Sequence, residues 1–292
     1  SFSALTRMAV ADVAEPAAAD ESEVIDVATQ EFADILATAY SEPQDVDLLA
    51  IDNWRGRRFG NAVHKVLELA GPGDLWPLQR GLVGAQLSLQ AVRDSNDNAD
   101  DVIEPVARMI DRVRNTDLGE GLRLIDVDAG SRITEFEFQF PARTTVAQLR
   151  AVCAEHGHPH VVPEHLSVPA LNGMLTGFAD LIFVHAGRYH VLDYKTNRLG
   201  TQRSDYRAAA LDAAMAQHHY EFQALLYTVA LHRYLRQRLR DYAAGRHLGE
   251  SWYLFLRAVG LEPGLGICRR RWPAPLIVAL DEAFVGLDEA AA

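Results

Sequence analysis

Asp180, Asp193 and Lys195 are the residues of this chain whose types and spacing most clearly imply chemistry. They lie between Leu175 and Asn197, where two apolar, β-rich runs flank Ala186-Gly187. A tight connection at that dipeptide predicts a hairpin pairing residues whose numbers sum to 373, which sets Asp180 opposite Asp193. Directly opposed residues have Cβ atoms about 4.5–5.5 Å apart, and like charges so placed destabilise a sheet. A divalent cation between the carboxylates would remove the repulsion, so the pattern predicts a metal site. Alternation puts Lys195 on the face of Asp193, with Phe178, Ile182, Val184, Tyr189 and Val191. Ala179, Leu181, Phe183, His190, Leu192 and Tyr194 would share the other face. Both faces are largely apolar, so helices are expected to bury the hairpin on both sides, where carboxylates are costly unless paired, metal-bound or hydrogen-bonded. By itself, an Asp…Asp-x-Lys pattern is equally an ordinary salt-bridge cluster at a strand end; the register and the apolar neighbours favour the metal.

The surrounding sequence supplies elements able to position these groups. From Arg57 to Ala70, Phe59, Val63, Val66, Leu67 and Ala70 recur at helical spacing, with His64 in the middle and Gly71-Pro72 as the stop. Helices are expected at 82–92 and 103–113, separated by the polar Asp94–Asp101 stretch, as a helical insertion of about 72–125. Arg132 to Phe140 alternates Phe136, Phe138 and Phe140 with Glu135, Glu137 and Gln139, which predicts a strand ended by Pro141. Further helices are expected over 144–156, 217–240 and 276–287, and a strand over 251–259. Residues 9–23, rich in alanine and acid without apolar periodicity, are expected to be a linker, with residues 1–30 the remnant of an upstream region and 31–292 the functional domain. The fold class is α/β, a mixed central sheet flanked by helices in α-β-β-β-α-β order.

Composition narrows the possibilities. The 292 residues are 49% hydrophobic, enough for a substantial core. Cys153 and Cys268 alone cannot build a disulfide framework or a four-cysteine cluster, which fits a reducing cytoplasm. No run of 18 apolar residues and no secretory pattern occurs, so membrane insertion is not expected. A net charge of −12 argues against nonspecific coating of nucleic acid, although basic residues cluster at Arg233, Arg236, Arg238 and Arg240 and at Arg269, Arg270 and Arg271. Such runs are mostly solvated surface. His156, His158, His160 and His165 look metal-like but fit no zinc spacing, and an exposed polar loop is the expectation.

Gly60-Asn-Ala-Val-His64, Gly177-Phe-Ala-Asp180, Asp193-Tyr-Lys195-Thr-Asn197 and Tyr220-Glu-Phe-Gln223-Ala-Leu-Leu-Tyr227 stand in one order along the chain. In that order they resemble the PD-(D/E)xK nucleases, with their restriction-endonuclease-like core. More closely they resemble the nuclease domain of the RecB family of RecBCD helicase–nuclease subunits. The likeness runs from about Arg57 onward and includes Ala230-Leu-His-Arg-Tyr-Leu235 and Tyr253-Leu-Phe-Leu-Arg257. It implies a magnesium-dependent deoxyribonuclease, with manganese a substitute, acting on single- and double-stranded DNA ends in double-strand-break repair and recombination. The implied metal ligands are His64, Asp180, Asp193 and the main-chain carbonyl of Tyr194. Lys195 would stand beside the attacking water, and Gln223 and Tyr227 beside the active site and the DNA path. The acidic residue of the first core strand would be Glu135 or Glu137, with Glu135 the better match. RecC, RecD and RecA are the partners the resemblance implies, in the bacterial cytoplasm. No Gly-x4-Gly-Lys-Ser/Thr phosphate loop occurs, so ATP hydrolysis would belong to another part of a longer polypeptide. A catalytically silent DNA-guiding module, or a free-standing exonuclease, is the alternative.

Hard oxygen donors with one imidazole suit magnesium or manganese. A free lysine, with a pKa of about 10.4, is charged at neutral pH; acting as a base would require burial to depress it. Whether Lys195 is a base or an electrostatic stabiliser stays open at this point.

Overall fold

The computed structural model describes residues 42–74, 76–92, 100–164, 166 and 170–286. The alanine-rich segment before Glu42, most of the Asp94–Asp101 stretch, His165 and Leu287 lie outside them. Four helices come first: α1 (Val46–Ala50), α2 (Gly56–Leu69), α3 (Trp76–Leu89) and α4 (Asp100–Asn115). Then follow β1 (Arg132–Thr145), α5 (Val146–Glu155), the hairpin strands β2 (Ala170–His185) and β3 (Arg188–Lys195), α6 (Ala208–Gln217) and α7 (Tyr220–Arg238). The chain closes with α8 (Ala244–His247), β4 (Leu248–Phe255), β5 (Ile267–Arg270) and α9 (Ala274–Val285). One five-stranded sheet runs in the order β1-β2-β3-β4-β5, antiparallel except for β3 and β4, which α6 and α7 join as a parallel crossover. Among the described residues no helix is long and apolar enough to cross a membrane.

The sheet is sandwiched between two helical layers. On one side Ile182, Val191, Tyr253 and Phe255 join residues of α5, α6, α7 and α9 in one buried cluster. On the other, Leu181, Phe183, Leu192, Tyr194, Trp252 and Leu254 join residues of α2, α3 and α4. The hairpin is therefore buried on both faces, and its ladder pairs residues summing to 373, from His185 with Arg188 to Leu181 with Leu192; it stops one pair short of Asp180 and Asp193, so their expected direct opposition is not one of its pairs. One expectation about its faces is corrected. Ala179 packs with Phe136 and Ile182, not with Leu181 and Phe183, so the alternation of β2 changes parity at Asp180. The β1–β2 ladder skips Glu135 and Asp180, and Glu135 takes a φ of +49°. Phe178, expected on a covered face, is 51% exposed, opposite Glu137 on the edge strand β1.

Several boundaries also differ. Pro141 does not end β1, which continues to Thr145 opposite Ala170. β1 is an edge strand, where a residue without an N–H is tolerated. The helix expected over 217–240 spans Tyr220–Arg238, and α6 (Ala208–Gln217), which was not expected, precedes it across a break at His218-His219, where His219 has a φ of +55°. The strand expected over 251–259 starts at Leu248 and ends at Phe255. Gly177 fits its place because a Cβ there would lie 2.4 Å from the Phe138 ring.

A strap formed by residues 42–54 is fastened to the loop after β3. Thr201 accepts from the Asp45 N–H at 2.8 Å, Arg203 reaches Asp45 at 2.6 Å, and Arg198 pairs with Asp52. Ser204 N–H donates to Glu42 at 2.9 Å. Arg257, 1% exposed, donates to the carbonyls of Thr196 at 2.9 Å, Ile51 at 2.7 Å and Trp54, uniting strap and loop.

His190 illustrates how the core constrains a titratable group. Its ring stacks on Phe183 at 5.0 Å, and its Nδ1 accepts from Glu250 N–H at 3.1 Å and Trp252 Nε1–H at 3.2 Å. Burial lowers its pKa to about 4. The unfolded chain takes up that proton near pH 6.5. Stability supplied by the neutral ring is thus complete above about pH 6.5 and falls by up to about 3 kcal/mol towards pH 4. Denaturant midpoints at pH 7, 5.5 and 4.5 are expected to fall more steeply for the wild type than for His190→Gln. Equal slopes would dissociate His190 from acid lability.

Candidate active site

Asp180, Asp193 and Lys195 stand where the hairpin leaves the ladder. Asp180 Oδ1 lies 3.1 Å from His64 Nδ1, and its Oδ2 accepts the Tyr194 N–H at 2.6 Å. Asp180 therefore bridges α2 and β3, and the side chain takes a backbone partner where strand pairing has stopped. His64 reaches it because Phe59, Ala62, Val63, Val66 and Leu67 form the buried stripe of α2. Gly60 brings that helix close to the sheet; a Cβ there would lie 3.2 Å from Thr196 Oγ1.

Asp193 and Lys195 form a buried ion pair at 2.5 Å. Lys195 Nζ also donates to Gln223 Oε1 at 3.1 Å, and Gln223 Nε2 to the Tyr227 hydroxyl at 2.9 Å. The i,i+4 pair on α7 is thus joined to the lysine. Tyr253, paired with Asp193 across the parallel ladder, donates its hydroxyl to Gln223 Oε1 at 3.1 Å. The Tyr220 ring lies 3.8 Å from Lys195 Nζ, a cation–π contact.

A cavity of about 540 Å³ opens beside this cluster, lined by His64, Glu135, Asp180, Asn197 and the arginines 55, 57 and 198, among others. Glu135 lines it with Asp180 and Glu137 does not, which gives the glutamate expected on the first core strand a definite position. The positive φ at Glu135 accompanies this placement.

Burial dominates the electrostatics of the carboxylates here. Burial raises the pKa of Glu135, and Asp180 and Glu68 add to the effect. Burial pushes Asp193 up to about 6 against the pull of Lys195. For Lys195 burial works against the charge, but Asp193 prevails and its pKa is raised. Desolvation likewise opposes charging of His64, yet Asp180 raises it. Among the described residues no three His, Cys, Asp or Glu side chains already converge as ion ligands do, because Lys195 lies on Asp193 and His64 on Asp180. The donor set is nonetheless of the hard kind a divalent cation takes.

Two sequence features end elsewhere. Arg233 and Arg236 pair with Asp281, Arg269 with Glu250, and Arg270 with Glu221 and Asp212. Both basic clusters are largely occupied within the fold. His158 of the histidine-rich loop packs edge-on to Trp272. Sequence reasoning missed Tyr253 as a partner of Gln223, since only the long-range parallel pairing brings it to Asp193, and it missed the arginines lining the cavity.

The model of the PD-(D/E)XK nuclease superfamily matches residues 45–276. The chain belongs to that superfamily, and the mixed sheet between helices is its restriction-endonuclease-like α/β fold. Its relatives narrow the class. The RecBCD enzyme subunit RecB of Escherichia coli K12 is 41% identical over 63% of this chain and 16% of its own length. The subunit of the same name from Haemophilus influenzae is 30% identical over 85% of this chain and 20% of its own. That of Mycobacterium tuberculosis is 32% identical over 97% of this chain and 28% of its own. The chain thus spans between 16% and 28% of the length of these relatives.

Proposed function

We propose that this chain is a magnesium-dependent deoxyribonuclease domain that hydrolyses DNA phosphodiesters as the nuclease part of a RecBCD-type helicase–nuclease. The observation that carries the reading is the meeting of His64, Glu135 and Asp180 at one cavity, with the Asp193–Lys195 pair buried behind it. The proposed unit is residues 31–292. RecC and RecD as partners belong to the same proposal and rest on the name RecBCD that the relatives carry; RecA and a cytoplasmic setting are proposed from the motif resemblance alone.

His64, Asp180, Asp193 and the Tyr194 carbonyl would hold the ion, magnesium or in its place manganese. Bound there, it would polarise a phosphoryl oxygen and acidify a water. Lys195, kept charged by Asp193, acts as an electrostatic stabiliser of negative charge developing on the phosphoryl group. Gln223 and Tyr227 hold the ammonium in position, since Gln223 joins both. Arg55, Arg57 and Arg198 line the path of the neighbouring phosphates.

Linear single-stranded DNA incubated with the purified chain is expected to be degraded in magnesium, to survive in excess EDTA, and to be degraded again when manganese is supplied. Equal degradation with and without EDTA would refute the metal dependence. No degradation in either metal would favour a DNA-guiding module.

A further inference from the structure

Three aromatic rings lead outward from Lys195. Tyr253 is buried, and Tyr220 stacks on it at 5.7 Å with 27° between the planes. His218, exposed, stacks on Tyr220 at 5.1 Å and 25°. Asn197 ties this row to the cavity it lines: its Oδ1 accepts the Tyr220 hydroxyl at 3.2 Å, and its Nδ2 lies 3.4 Å from His218 Nε2. The backbone break between α6 and α7, with positive φ at His219, fixes where the His218 ring is presented. A flat exposed ring, backed by a second ring and held at its edge, lies next to a cavity whose lining also carries three arginines.

We propose that His218, backed by Tyr220, is a stacking platform for one nucleobase of the DNA strand whose phosphate enters the cavity. The proposal rests on the nuclease reading and adds to it a substrate preference. Stacking is indifferent to base identity, because every base has a π face. A base inside a duplex already has a neighbour on both faces, so the platform selects an unpaired or frayed strand over a fully paired one. Arginines that bind phosphate set the register of the strand; the ring engages the base next to it.

Binding in EDTA tests the platform without hydrolysis. Single-stranded oligonucleotides carrying 2-aminopurine at successive positions are titrated with the 292-residue chain, and fluorescence is followed. The wild type is expected to quench the probe at one position and to bind about tenfold more weakly when that nucleotide is abasic. His218→Ala abolishes both effects. His218→Phe, which keeps a ring and loses the nitrogen facing Asn197, retains them, whereas His218→Gln loses them.

Quenching and abasic discrimination that survive in His218→Ala overturn the platform. Retention by His218→Gln with loss in His218→Phe also overturns it, assigning the residue to the Asn197 contact. Absence of position-specific quenching in the wild type does so as well. Quenching as expected in a protein that never cleaves DNA in magnesium supports the platform and overturns the hydrolytic reading, so the two failures are distinguishable.

Discussion

Asp193→Ala is expected to slow DNA hydrolysis at least about a thousandfold and to weaken divalent-cation binding, whereas Lys195→Ala slows hydrolysis by about 10²–10³ with the cation still bound. The two side chains touch at 2.5 Å, so a simple contact map would give them one role. Their chemistry separates them. Asp193 is a hard anionic donor beside Asp180, while Lys195 is held charged and competes with any cation for the same carboxylate. Removing the lysine therefore frees a ligand, and removing the aspartate deletes one. Calorimetric titration with manganese reads the binding, and cleavage of a labelled oligonucleotide reads the rate. In an ordinary salt-bridge cluster the stranded buried charge would cost about 3–5 kcal/mol of stability and nothing more, with little specific effect on rate or on cation binding. Melting curves recorded in parallel detect that outcome. Cleavage at the wild-type rate in either variant would show that the assigned site is wrong.

Arg257→Ala is expected to cost about 3–5 kcal/mol of folding stability, the largest effect foreseen for any residue away from the cavity. Its guanidinium spans the carbonyls of Ile51, Trp54 and Thr196. Without it, three acceptors lose their donor, that of Ile51 in the buried core, and the space left by the side chain adds to the loss. Arg257→Lys keeps a charge, but one ammonium cannot fork to three separate acceptors, so about half the loss is expected. A drop in Tm of roughly 10 °C for the alanine variant is the corresponding thermal signature. A loss below about 1 kcal/mol in urea unfolding would mean that water or a neighbouring side chain satisfies the carbonyls.

The sequence made the central hairpin legible because its information is local. The turn at Ala186-Gly187 fixes the register, and the sum of 373 holds along the observed ladder. Helical spacing placed His64 on a helix in the same local way, but only the resemblance of Gly60-Asn-Ala-Val-His64 to the family motif marked it as a site residue. Features set by long-range packing were not legible. The parity change at Asp180 arises where β1 and β2 break their ladder, and nothing in an alternating string marks it. β5 is only four residues long, and its arginines read as free charge because their carboxylate partners lie far off in sequence. Tyr253 meets Gln223 only after a parallel crossover has brought β4 beside β3.

The strap from Glu42 to Trp54 has a mechanical consequence. Its fastenings fall on Thr196, Arg198, Thr201, Arg203 and Ser204, the stretch that follows Lys195 directly. The strap is held from the other side as well, where Arg112 reaches Asp47 at 3.7 Å and Leu48 and Ile51 enter the two cores. Strap and loop thus form one hydrogen-bonded unit, and the strap is a tether for the segment that follows Lys195.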